Sequence, residues 1–146
     1  LIDQPHIGER FEGGAGTARL VRGGRDMPLS TRASGGLSEA VLLTTFPEIG
    51  TVTERDAFGR VAERVRLVRY GLECYAYALV AAGHVDLVIE AGLQPHDIAA
   101  PIAVIEAAGG IVTDWRGGPA ADGGRVIAAG SHAVHAAALE VLRQTP

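Results

Sequence analysis

Residues 90–110 read EAGLQPHDIAAPIAVIEAAGG. Glu90 closes the run HVDLVIE, residues 84–90, in which Val85, Leu87 and Ile89 alternate with Asp86, Val88 and Glu90. Alternation of period two is the signature of a strand. A six-residue loop leads to Asp97, and Ile98, Ile102 and Ile105 then fall on one face of a helix. Pro101 is tolerated only near a helix start, where an N–H has no partner anyway. The helix is therefore expected to begin close to Asp97 and to stop at Gly109-Gly110. Asp97 has two readings at that tip. Aspartate is a favoured helix cap, worth about 1 kcal/mol. It is also a carboxylate aimed into the space beyond a strand end, where open α/β folds collect ligands.

Outward from this segment, strands and helices keep alternating. AVLLTTFP, residues 40–47, reads as a buried strand stopped by proline. In TERDAFGRVAERV, residues 53–65, Phe58, Val61, Ala62 and Val65 share one helical face. RLVRYG, residues 66–71, is a strand, and ECYAYALVAAG, residues 73–83, is a helix with Tyr75, Leu79 and Ala82 as its stripe and Gly83 as its stop. Downstream, GIVTDW (110–115) and RVIAAG (125–130) are strands, and Ser131 caps a last helix, residues 132–144. Residues 1–24 are short apolar stretches cut by glycine and proline, read as hairpins; residues 23–39 read as a polar loop. The pattern implies a layered α/β fold with mixed sheets, one domain over residues 1–146.

Composition sets the class. The chain has 146 residues, 47% hydrophobic and 21% charged, with net charge -4. That length buries roughly 70% of the unfolded chain's surface, enough for a core without staples. The single cysteine, Cys74, excludes an internal disulfide framework and suits a reducing cytoplasm. No apolar run reaches the ~20 residues of a membrane span. The mild acidity argues against a nucleic-acid partner, and the basic run ERVRLVR, residues 63–69, reads as a solvated helix end. GGAGTARLV, residues 13–21, does not read as a phosphate-cradling loop, because Arg19 to Arg22 continue as a strand and open no helix.

The chemistry candidates are carboxylates. Glu90 at a strand end and Asp97 at the next helix tip can converge on one cleft, and such a pair repels itself unless a cation or polar substrate offsets it. Mg²⁺ takes oxygen ligands and keeps several waters, so it needs few protein carboxylates. Glu73, at a strand-to-helix junction, either complements a helix dipole by about 0.3–1 kcal/mol or faces the same cleft as Glu90. His132 and His135 stand one turn apart with no acidic or cysteine partner at metal spacing. His96 either fills space beside a helix cap or acts as a base. Cys74 reads as a packed helix residue, and Tyr75 and Tyr77 as core or cleft wall.

Residues 90–119 resemble the C-terminal signature of the inositol monophosphatase family: a strand-ending glutamate, an aspartate at a helix start, an alanine-rich helix, and the Glu106 to Gly110 close. LIDQPHIGERFEGGAG, residues 1–16, resembles the family's mid-chain hairpin, so the likeness runs nearly end to end. Glu73-Cys74-Tyr75 is most similar to the histidinol-phosphate phosphatase branch. That branch usually has Asp at position 73 and Tyr or Trp at position 96, so Glu73 and His96 are departures.

The resemblance implies the C-terminal half of a layered αβαβα sugar-phosphatase fold and Mg²⁺-dependent hydrolysis of a small phosphomonoester, in a homodimer. It implies Asp97 as a metal ligand and Glu90 as a substrate contact. Gly71 would let the backbone approach the substrate, and Glu73 would bind a substrate amine. A carboxylate about 4 Å from an ammonium gains roughly 4 kcal/mol gross at an effective dielectric near 20, before desolvation. Histidinol phosphate carries that ammonium; an inositol or other sugar phosphate does not. The family's Asp-Pro-x-Asp-Gly-Thr motif does not occur here. The expectation is therefore a chain lacking the N-terminal metal-binding half. A non-catalytic binding module is the reading from another class.

Overall fold

The computed structural model describes residues 1–144. It opens with four antiparallel strands, β1 (Ile2–Gln4), β2 (Glu9–Gly14), β3 (Thr17–Arg22) and β4 (Arg25–Pro28), paired in that order. The segment expected to be wholly loop thus begins with a strand. Gly23 and Gly24, at φ +57° and +73°, make the two-residue turn that hairpins favour. Every side chain of β4 is exposed, so it carries no alternation for the sequence to show.

The rest of the chain builds a second sheet and four helices: β5 (Val41–Thr44), α1 (Val52–Ala62), β6 (Leu67–Tyr70), α2 (Cys74–Ala81), β7 (Leu87–Leu93), α3 (Pro95–Ala107), β8 (Ile111–Asp114), β9 (Gly124–Ala129) and α4 (His132–Leu142). The sheet order is β6-β5-β7-β9-β8. β5, β6 and β7 run parallel, while β9 is antiparallel to both β7 and β8. α1 ends three residues before Val65, and its start is fixed by Thr51, which accepts from Glu54 N while the Glu54 carboxylate accepts from Thr51 N.

Two cores define the layers. Between the sheets, Ile2 and Phe11 meet Tyr77 and Val80 of α2, Val104 and Ile105 of α3, and Val88 of the second sheet. On the far side of that sheet, Leu87, Ile89 and Ile127 pack on Phe58 and Val61 of α1 and on Val134 and Leu142 of α4. The order is sheet, helix pair, sheet, helix pair. The first sheet approaches α3 so closely that a Cβ at Gly13 would stand 2.4 Å from the Val104 Cα, which only glycine avoids.

Enclosure on both faces explains where periodicity misled. Leu87, Val88 and Ile89 are all fully buried, as in any sheet covered by helices on both sides. Val85 precedes β7 and joins the inter-sheet core with Val88, not the core of Leu87 and Ile89. In α2, Ala76, Tyr77, Val80 and Ala81 are buried, whereas Tyr75, Leu79 and Ala82 are only partly so. A helix apolar all round offers no stripe to choose.

Asp86 also departs from its expected place beside Glu90. Its buried carboxylate accepts from both Arg32 Nε, at 2.8 Å, and Arg32 Nη2, from Ser34 Oγ, and from Val41 N at 2.7 Å. Burial pushes this carboxyl up, but the donors outweigh burial and hold it below the ordinary carboxylate range. Asp86 is a clamp that ties residues 32–41 to the start of β7.

Candidate active site

Regular pairing of β7 with β9 shifts register between Glu90 and Leu93. Glu90 does not end its strand, since β7 runs on to Leu93; it is the last residue before the irregularity, and bulges re-aim side chains. Glu90 is 6% exposed. Its Oε1 accepts from Thr45 N at 2.6 Å and from Thr45 Oγ1 at 2.8 Å. Burial pushes its carboxyl up, the donors of Thr45 and Thr44 oppose this, and the charge of Glu73 adds to the rise; the net direction is upward.

α3 starts at Pro95, two residues before Asp97, and Pro101 lies within it. Pro101 therefore sits two residues deeper than expected and withholds an N–H from the Asp97 carbonyl. Asp97 is a first-turn residue whose Oδ2 accepts from Gln94 N at 2.8 Å; its Oδ1 lies 3.6 Å from His96 Nε2. The capping function is real, and it aims the carboxylate.

Glu73 precedes α2 on a strained turn. Gly71, Leu72 and Glu73 have φ of +96°, +76° and +43° in succession. Left-handed leucine and glutamate are uncommon and cost of order 1–3 kcal/mol each. Gly71 N donates to Thr44 O at 3.0 Å and Thr45 O at 2.9 Å, so the turn hangs from the segment that also holds Glu90.

Glu73, Glu90 and Asp97 line one cavity of about 620 Å³, together with Asp3, His96 and Tyr77. No lysine or arginine is among the described residues lining it. Gly71 is not part of the wall, and a Cβ there would meet nothing within 4 Å; its glycine serves the turn's φ. Cys74 is exposed at the cavity, not packed, because the first residue of α2 stands outside the apolar body of that helix. His135 is buried and lies 2.8 Å from Thr113 Oγ1, away from the cavity. Of the two readings of Tyr77, core and cleft wall, both hold, since it is buried and lines the cavity; Asp3 was missed as a site residue. Asp3 reaches the cavity only through the pairing of β1 in the first sheet.

The donor chemistry suits Mg²⁺, which prefers carboxylate oxygens and retains waters. Among the described residues, no three of His, Cys, Asp and Glu stand close enough to enclose an ion. Asp97 fits as one ligand of a site completed by water and substrate oxygens.

Two sheets interleaved with helix pairs, with an acidic cavity between a strand irregularity and a helix tip, are features of a known family of fold. The chain belongs to the Inositol monophosphatase family, whose match covers residues 1–145. It is 44% identical over 151 residues to the bifunctional phosphatase IMPL2, chloroplastic, of Arabidopsis thaliana, covering 97% of this chain and 43% of that protein. It is 27% identical over 118 residues to a histidinol-phosphatase of Chlorobaculum parvum, covering 80% of this chain and 44% of that protein. An inositol monophosphatase structure from Zymomonas mobilis superposes with TM-score 0.84 at 34% identity, over 92% of this chain and 53% of that one. The chain thus spans about half the length of the relatives it matches.

Proposed function

We propose that this chain forms the substrate-binding part of a Mg²⁺-dependent phosphomonoesterase, and that its substrate is histidinol phosphate. The observation that carries the reading is the place of Glu73: a carboxylate on a strained turn, in the same cavity as Glu90 and Asp97, with no lysine or arginine lining that cavity. Three converging carboxylates call for cations. One is a metal at Asp97. The other is the ammonium of the substrate at Glu73, with Glu90 contacting the substrate between them. The chemistry such a metal supplies is polarisation of a phosphoryl oxygen and activation of water. The protein's part is to orient the leaving group and to keep the two cationic positions apart. The relative named histidinol-phosphatase supports this substrate.

An inositol phosphate is the second reading. It is favoured by the close superposition on an inositol monophosphatase, and it would use the same carboxylates as acceptors for hydroxyls.

Kinetics of Glu73→Ala in the complete enzyme separate the two. For an ammonium contact, kcat/KM for histidinol phosphate falls roughly tenfold to a hundredfold while that for inositol phosphate stays within about threefold. Equal losses on both substrates remove Glu73 from amine recognition.

A further inference from the structure

Tyr77 is 3% exposed, and its hydroxyl has no hydrogen-bond partner. Buried hydroxyls in folded proteins are nearly always paired, so an orphan of this kind asks for a reason. Its surroundings supply one. Tyr77 lies on the side of α2 that lines the acidic cavity, with Glu90 and Asp97 in the same wall. The hydroxyl is a donor throughout the ordinary pH range: burial pushes it well above the usual tyrosine value, and the charges of Glu90 and Asp97 push it further. Tyr75, two residues along, makes the contrast. Its hydroxyl donates to Glu9 Oε2 at 2.7 Å and so ties α2 to the first sheet. Tyr77 ties α2 to nothing, although phenylalanine would fill the same space.

Glu90 and Asp97 are the two carboxylates whose charges bear on that hydroxyl. Both bonds from Thr45 fall on Oε1; the Thr44 hydroxyl also bears on the carboxylate but completes no hydrogen bond, so Oε2 is open to a further donor. A carboxylate held by one oxygen still pivots about it.

We propose that Tyr77 is a positioning residue for Glu90: when a ligand enters the cavity, the Tyr77 O–H donates to Glu90 Oε2 and fixes the carboxylate in its ligand-binding orientation. The inference rests on the reading of this cavity as the substrate site, and it holds for either substrate. An unsatisfied buried donor weakens the empty fold, and its removal is neutral or stabilising. The hydroxyl would thus be retained for the bound state.

Tyr77→Phe in the complete protein tests this through a split between stability and binding. The expected result is a melting temperature unchanged or higher, with KM for the phosphomonoester substrate raised roughly tenfold, about 1.4 kcal/mol, and kcat little changed. A lower melting temperature with unaltered KM makes Tyr77 a packing residue and overturns the proposal. A second measurement does not depend on turnover. In wild-type protein carrying ¹³Cζ-labelled tyrosine, L-histidinol or myo-inositol is added with Mg²⁺ and inorganic phosphate. The Tyr77 resonance is expected to shift on saturation, and the shift to vanish in Glu90→Gln. A shift with myo-inositol alone keeps the role of Tyr77 and overturns the histidinol reading. No shift with either compound overturns the role of Tyr77.

Discussion

One oxygen of Asp97 accepts the Gln94 N–H at 2.8 Å and so closes the first turn of α3. The residue therefore serves as a helix-terminal acceptor and, on the proposed reading, as a metal ligand. The two roles separate by charge. Asparagine can still accept the Gln94 N–H but loses most of its strength as a Mg²⁺ ligand. Asp97→Asn is expected to lower stability by only about 0.5 kcal/mol, the usual scale for an acidic residue in a first helical turn. Mg²⁺ affinity, read by isothermal titration in the complete enzyme, is expected to fall about tenfold or more. A stability loss with unchanged Mg²⁺ affinity would leave Asp97 a cap alone. Asp97 and Glu73 could be picked out because each stands at a local boundary that sequence marks, a helix start and a turn after glycine; Glu90 was singled out as a strand end, although β7 runs on past it to Leu93. Asp3 could not be picked out. Its relation to the cavity is made by the pairing of β1 with β2, which leaves no mark near the residue.

The elements that hold the cavity open depend on contacts far apart in the chain. Residues 32–41 meet β7 through Asp86, and β5, which carries Thr45 at its end, begins inside that clamp. The helices and parallel strands were legible as apolar runs between turn residues, although for α2 and β7 burial on every side hid which face meets which core. β4 was not, because an exposed edge strand needs only backbone partners. The clamp was not legible either, since an aspartate within an alternating strand pattern looks like a solvent-facing position. Removing it strands the Val41 N–H and leaves Arg32 without its carboxylate. Asp86→Ala is expected to cost about 2–4 kcal/mol in urea unfolding. The pH dependence follows from sign. The folded-state pKa of Asp86 is depressed, so its contribution is present above the unfolded value near 3.9 and is lost as pH falls through the lower folded value. The difference between wild type and variant should therefore shrink only in strong acid. A loss under about 1 kcal/mol at neutral pH, or a difference that fades already near pH 6, would mean the clamp does not carry the loop.

At the scale of the whole molecule, the two cores place buried titrating groups with opposite signs. His135 is buried and its imidazole is pushed down, chiefly by burial. Its neutral form is the one the fold accepts, so stability is present above about pH 6.5 and declines as pH falls through the lowered value. Glu90 runs the other way. Its folded pKa is raised, so its contribution is fully present below the ordinary carboxylate value and is lost as pH rises through the raised one. At neutral pH the ionised Glu90 carboxylate is a cost to the empty protein, one that on the proposed reading a cation or ligand relieves. Glu90→Gln keeps an acceptor for Thr45 and removes the charge. The expectation at pH 7 is a melting temperature about 2–4 °C higher, the shift given by ~1 kcal/mol in a domain near this size. Below about pH 4, where Glu90 is protonated in both states, variant and wild type should converge. Added Mg²⁺ with substrate should then stabilise the complete wild-type enzyme more than the variant, because only the wild type has a charge to be relieved. Melting curves across pH, with and without ligand, decide it: a variant less stable than wild type at pH 7 would show that the Thr45 contacts outweigh the burial of charge, and that Glu90 is held for the fold and not for what enters the cavity.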